Sequence, residues 1–163
     1  RVPRRNLIGE ENRGFRLLMQ TLDETRLTLC AGGIGMARAT LDRAIAHARE
    51  ASSFGRALID HEAVGFPLAE IATEVEAARF LVHKAAWLSD KGVRHTKETS
   101  MAKWFAAELA VKASLHAITT LGGYGCMKEY EVERFFRDAK SFTYAQGSTE
   151  IQKLIILREL LKS

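Results

Sequence analysis

Proline and cysteine are nearly absent from this chain, with two of each in 163 residues. Proline is confined to Pro3 and Pro67, and β-branched residues rarely alternate with polar ones, so strands are not expected and long helices are. Cys30 and Cys126 lie far apart, with no CxxC or Cys/His spacing. That excludes a disulfide framework and a structural zinc, and points to a reducing compartment. The five histidines are scattered, and no metal site is expected. No run reaches the ~18 apolar residues that cross a bilayer, and no signal-peptide pattern appears, so no membrane partner is expected. The expected location is the cytoplasm, or the mitochondrial matrix in a eukaryote. A dominant charge sign is lacking too. The 24 Lys and Arg are interleaved with 20 Asp and Glu, and the net +4 reads as solvated helix faces rather than a nucleic-acid patch.

What is present is helical periodicity in one domain's worth of chain. A first helix is expected from about Gly14 to Glu50. Phe15, Leu18, Met19 and Leu22 open its stripe, which continues through Leu29, Ile34, Leu41 and Ile45. SSFG at Ser52–Gly55 stops it. A second helix covers about His61 to Lys91, with Leu68, Ile71, Val75, Ala78 and Leu81 on one face, and Gly92 ends it. Pro67 beside Gly65 should kink it or delay its start. Thr96 or Thr99 can cap a third, alanine-rich helix that runs to Gly122. Short helices follow at about Val132–Ser141 and Thr149–Leu161. Long helices with short connections must pack antiparallel, so the expected fold is all-α: an up-down, four-helix-type bundle with short C-terminal helices. Residues 14–163 form that domain. Residues 1–13 (RVPRRNLIGEENR) read as a linker leaving a preceding domain that this segment does not contain.

The last quarter does not follow from a plain bundle. LGGYG (Leu121–Gly125), EVERFFRDAK (Glu131–Lys140) and AQGSTEIQ (Ala145–Gln152) come in succession. Together with VPRRNLIGEENRGF, LDETRL, SSFGRAL, AEIATEVEAARFLVHKAAWL and MAKWFAAELA, they make the chain resemble the C-terminal helical domain of the acyl-CoA dehydrogenases over essentially its whole length. The resemblance implies an FAD protein that removes two hydrogens across the α and β carbons of an acyl-CoA thioester. A carboxylate takes the α-proton and the flavin takes the β-hydride. It also implies a homo- or hetero-tetramer with flavin sites shared between subunits, and an electron-transfer flavoprotein as a partner.

Carried over position by position, the resemblance gives a mixed site. Gln146 stands where many members have the glutamate base, and a neutral amide takes no proton near neutral pH. In other members the base directly precedes the arginine of the first-helix motif. That position is Thr25 here, and Glu24 is turned about 100° away around the helix. Asp23, Glu24, Thr25, Arg26 and Gly147 match substrate-side positions. Phe54, Glu62, Thr119, Gly122, Gly123, Ser148 and Glu150 match flavin-side positions. Glu62 and Thr119 replace glutamines there, and Ala51 replaces an arginine. Two readings stay open, an active dehydrogenase or a non-catalytic partner subunit of a hetero-oligomer. Arg134, Arg137 and Asp138 are expected to form structural ion pairs, Trp87 and Trp104 to pack, and the histidines to have no functional part.

Overall fold

The computed structural model describes residues 2–162. Five α-helices lie among the described residues: α1 (Gly14–Glu50), α2 (Glu62–Asp90), α3 (Thr96–Leu121), α4 (Val132–Phe142) and α5 (Thr149–Leu160). The all-α bundle expected from the periodicity is what forms. α3 is its spine, packing against each of the other four helices. Small residues make this approach possible. Ala102, Ala106, Ala110, Ala113 and Ala117 of α3 are buried, and a Cβ on Gly33 of α1 would come within 3.2 Å of the Ala106 carbonyl oxygen. Around that seam sit Ile34, Leu41, Leu68, Ile71 and Val75. Among the described residues no helix is long and apolar enough to cross a membrane.

Four local expectations are corrected. The segment after α1 is a hairpin of two-residue strands, β1 (Ser52–Ser53) and β2 (Arg56–Ala57), with Ser52 opposite Ala57. Positive φ at Phe54 (48°) and Gly55 (77°) makes the tight turn that such hairpins need. Strands this short carry no alternation to read. Second, Phe15, Leu18 and Met19 are 77%, 53% and 36% exposed, so the buried stripe of α1 begins only at Arg26. Third, Pro67 does not delay α2, which starts at Glu62 and runs through it. So near the helix start, its missing N–H removes a single ladder bond. Gly65 is needed there for close packing, since a Cβ on it would lie 2.8 Å from the Ile59 carbonyl oxygen, in the turn folded against α2. Fourth, neither threonine caps α3. His95 is the N-cap residue, without a side-chain capping bond, and Thr96 is already helical.

Gly92 ends α2 as its position suggested. At φ 65° it lets Val93 N–H reach the Leu88 carbonyl (3.0 Å) and its own N–H reach Ser89 (2.8 Å), closing the C-terminus.

Candidate functional site

The loop between α4 and α5 is held by three helices at once. Gln146 adopts φ 55° and Gly147 φ 104°, both left-handed, so the chain turns sharply before α5. Arg26 of α1 donates from Nε to the Gln146 carbonyl at 2.9 Å. Lys103 of α3 donates from Nζ to the Gly147 carbonyl at 2.8 Å. Gln152 of α5 donates from Nε2 to the same carbonyl at 3.1 Å. Glycine suits 147 because side chains rarely adopt its φ of 104°, and a Cβ there would also press on Gln152 Nε2 at 2.8 Å. With both carbonyls turned toward the helices, trans peptide geometry turns the following N–H groups the other way. Among the described residues, the backbone N–H groups of Gln146 and Ser148 make no backbone hydrogen bond, while that of Gly147 closes the turn over residues 145 and 146. The Gln146 side-chain oxygen is buried without a partner.

Arg26, 4% exposed, is oriented by Asp23, whose Oδ1 lies 3.1 Å from its Nη1. Asp23 in turn accepts a hydrogen bond from Thr96 Oγ1 at 2.7 Å. Burial pulls the Arg26 pKa below its usual value while Asp23 pulls it back, and burial likewise lowers Lys103. The adjoining Cys30 thiol is pushed up to about 12, chiefly by burial, and stays neutral.

The other acid of this segment faces elsewhere. Glu24 Oε2 accepts from Ser89 Oγ at 2.9 Å, and Oε1 lies 3.3 Å from His95 Nε2, so its carboxylate turns to the α2–α3 connection. Thr25 is exposed and spends its hydroxyl on the Thr21 carbonyl at 2.9 Å. Neither brings an acid to Gln146. A polar cleft of about 620 Å³ opens over Glu24, bounded by Arg16, Gln20, Arg94 and His95. His95 was not expected to take part. It is buried, with Nδ1 2.7 Å from Thr99 Oγ1.

The flavin-side candidates lie mainly at the far end of α3. Thr119, Gly122 and Gly123 border a cleft of about 540 Å³ with His47, Ala51 and Tyr124. Lys103 and Thr119 are 16 residues apart on one helix, or about 24 Å at 1.5 Å per residue. Ala51, which shares this cleft, leads into the hairpin whose tip is Phe54, 97% exposed, with its ring centroid 6.5 Å from that of His61. Glu62 is exposed in the first turn of α2. Ser148 and Glu150 instead sit at the start of α5, where the backbone and then the Ser148 hydroxyl hold the Glu150 carboxyl below its usual range. Arg134 and Arg137 form ion pairs with Glu131 (3.5 Å) and Glu133 (2.8 Å), and Arg43 of α1 also pairs with Glu131. Asp138 makes no ion pair among the described residues.

Lys103 and Gln152 were missed from sequence. Lys103 did leave a signal, since it falls on the alanine face of α3 where an apolar residue belongs.

Comparison with known proteins bears on the fold and the family. The family model for the acyl-CoA dehydrogenase C-terminal domain matches residues 12–161. Cyclohexane-1-carbonyl-CoA dehydrogenase of Geobacter metallireducens is 45% identical over 162 residues, 99% of this chain and 43% of the relative. Subunit CarC of the caffeyl-CoA reductase–Etf complex of Acetobacterium woodii is 43% identical over the same shares. The structure of butyryl-CoA dehydrogenase from Megasphaera elsdenii superposes with a TM-score of 0.95 at 36% identity, covering 98% of this chain and 42% of that one. The chain thus spans about 43% of the length of the curated relatives it matches.

Proposed function

Because this chain belongs to the acyl-CoA dehydrogenase family, whose C-terminal domain it comprises, we propose that it is the helical part of an FAD-dependent enzyme acting on acyl-CoA thioesters. The observation that carries the reading is the clamped loop at 146–148. Arg26 and Lys103 draw the Gln146 and Gly147 carbonyls inward, and the N–H groups of Gln146 and Ser148 on either side make no backbone hydrogen bond. Fixed donors of that kind suit a thioester oxygen that gains negative charge as the α-proton leaves. Asp23 orients Arg26, and Arg26 fixes the backbone of residue 146. Residues 1–13 are read as the linker to the remainder of the protein.

FAD, when bound, supplies the acceptor for the β-hydride. The residues present fit it in part. The cleft at Thr119, Gly122 and Gly123 is glycine-edged and largely apolar, suited to a flat ring system, and a Cβ on Gly123 would meet nothing within 4 Å. For the diphosphate the fit is poor, because Ala51 stands at the arginine position and, among the described residues, no Lys or Arg borders the cleft. The charge must come from a neighbouring subunit or from the rest of the protein. The ~24 Å along α3 from Lys103, which holds the 146–148 loop, to Thr119 at this cleft favours flavin sites shared across subunits of a tetramer. An electron-transfer flavoprotein is the proposed redox partner, in keeping with the Etf complex of one relative.

A specific observation also supports a second reading, a non-catalytic subunit whose partner chain completes the site. Gln146 cannot act as base, Thr25 is bonded to its own helix, and Glu24 faces the α2–α3 connection. The test is to purify the full-length protein, alone and with candidate partner subunits, and to follow flavin absorbance while adding acyl-CoA without oxygen. A flavin-loaded homo-oligomer that bleaches slowly, and roughly 10²–10⁴ times faster as Gln146→Glu, is the expected result. Flavin and bleaching only in the mixed oligomer would favour the second reading. A flavin that no acyl-CoA bleaches, in either variant or assembly, would refute both.

A further inference from the structure

The buried face of α3 carries a charge that the fold does not require. Lys103 is 1% exposed, yet among the described residues no carboxylate lies within ion-pair distance of it. Its nearest acceptors are two backbone carbonyls, Gly147 at 2.8 Å and Thr143 at 3.5 Å. Glu108 and Glu150 act on it only from longer range, and Arg26 repels it. A buried cation without a counter-charge is costly, and a methionine would fill similar space without that cost. What the ammonium does that methionine cannot is hold the Gly147 carbonyl. That oxygen also accepts from Gln152, so both its lone pairs are engaged, one from α3 and one from α5.

Resting on the reading of the 146–148 loop as the thioester-facing segment, we propose that Lys103 is a positioning residue for the reaction. By keeping the Gly147 carbonyl turned inward, it fixes the left-handed backbone at Gln146 and the outward direction of the Ser148 N–H. Arg26 does the same for the preceding carbonyl, so the loop takes its place from the register of α1, α3 and α5 together. Lys103 touches no substrate and acts only through the loop.

The test compares the full-length protein with Lys103→Met and Lys103→Arg by hydrogen exchange and steady-state kinetics. Thr149 N–H is bonded to the Thr143 carbonyl and Gln152 N–H to the Ser148 carbonyl, so both report on the loop. With a charged hydrogen bond lost, Lys103→Met should exchange in the 143–152 segment about 10- to 100-fold faster, while α2 stays unchanged. kcat with a saturated acyl-CoA should fall by a similar factor, with KM within about threefold. Lys103→Arg, which keeps a cationic donor, should restore protection. Unchanged loop exchange, equal acceleration in α2, or an arginine variant no better than methionine would each overturn the proposal. If Lys103→Met is recovered unfolded, Lys103→Arg decides by the same peptides: retained protection supports the role and lost protection refutes it. The exchange arm needs no turnover. A protein that binds no acyl-CoA would sink the functional reading alone, whereas an active protein with an unchanged loop would sink only the role of Lys103.

Discussion

At position 146 backbone and side chain point in opposite directions. The backbone has what a thioester site needs: a left-handed turn, a carbonyl anchored by Arg26, and N–H groups beside it that make no backbone hydrogen bond. The side chain brings a neutral amide with a partnerless buried oxygen. Its place in the turn before α5 could be read from sequence, because Gly147 and the polar Ser-Thr pair precede a helical run. The clamp could not be read, because Lys103 and Gln152 meet Gly147 from 44 and 5 residues away, and only folding brings them together. Lys103 also makes a pH prediction. Burial lowers its pKa from the usual 10.5. Between the folded value and 10.5 the unfolded chain binds a proton that the folded chain has shed, so stability rises with pH there. Thermal melting of the wild type should therefore gain on Lys103→Met as pH climbs toward that value, and a constant gap would contradict the burial argument.

At the scale of elements, the long helices were legible because their apolar residues recur at 3.6, and their ends fell close to Gly92 and Gly122. Legibility stopped where periodicity could not speak. The hairpin at Ser52–Ala57 is too short for alternation, and Phe15, Leu18 and Met19 keep the stripe's phase but stay exposed. Two glycines separate packing from propensity. A Cβ on Gly125 would lie 2.6 Å from the Ile118 carbonyl oxygen, against backbone that cannot rotate away. Gly35, within α1, has nothing within 4 Å of such a Cβ. Gly125→Ala should cost about 1–3 kcal/mol, whereas Gly35→Ala should gain roughly 0.5–1 kcal/mol from helix propensity. Denaturant unfolding of the two variants checks both signs, and a neutral Gly125→Ala would mean that the turn after α3 is looser than its geometry.

For the whole molecule, the central fact is that the candidate residues form two groups at different heights on α3. One surrounds Gln146 with Arg26 and Lys103, and the other borders the cleft at Thr119–Gly123. The family resemblance assigned both groups to one reaction, and the fold separates them by about 24 Å along one helix. That separation is what the proposal of flavin sites shared between subunits rests on. Phe54, at the exposed hairpin tip, suits contact with a neighbouring subunit. The most direct measurement is a structure of the full-length protein with a bound acyl-CoA. The account predicts the thioester α-carbon about 3–3.5 Å from the Gln146 side chain, with the thioester oxygen on the N–H groups of the loop. A thioester bound elsewhere, with residue 146 facing only solvent or protein, would contradict it.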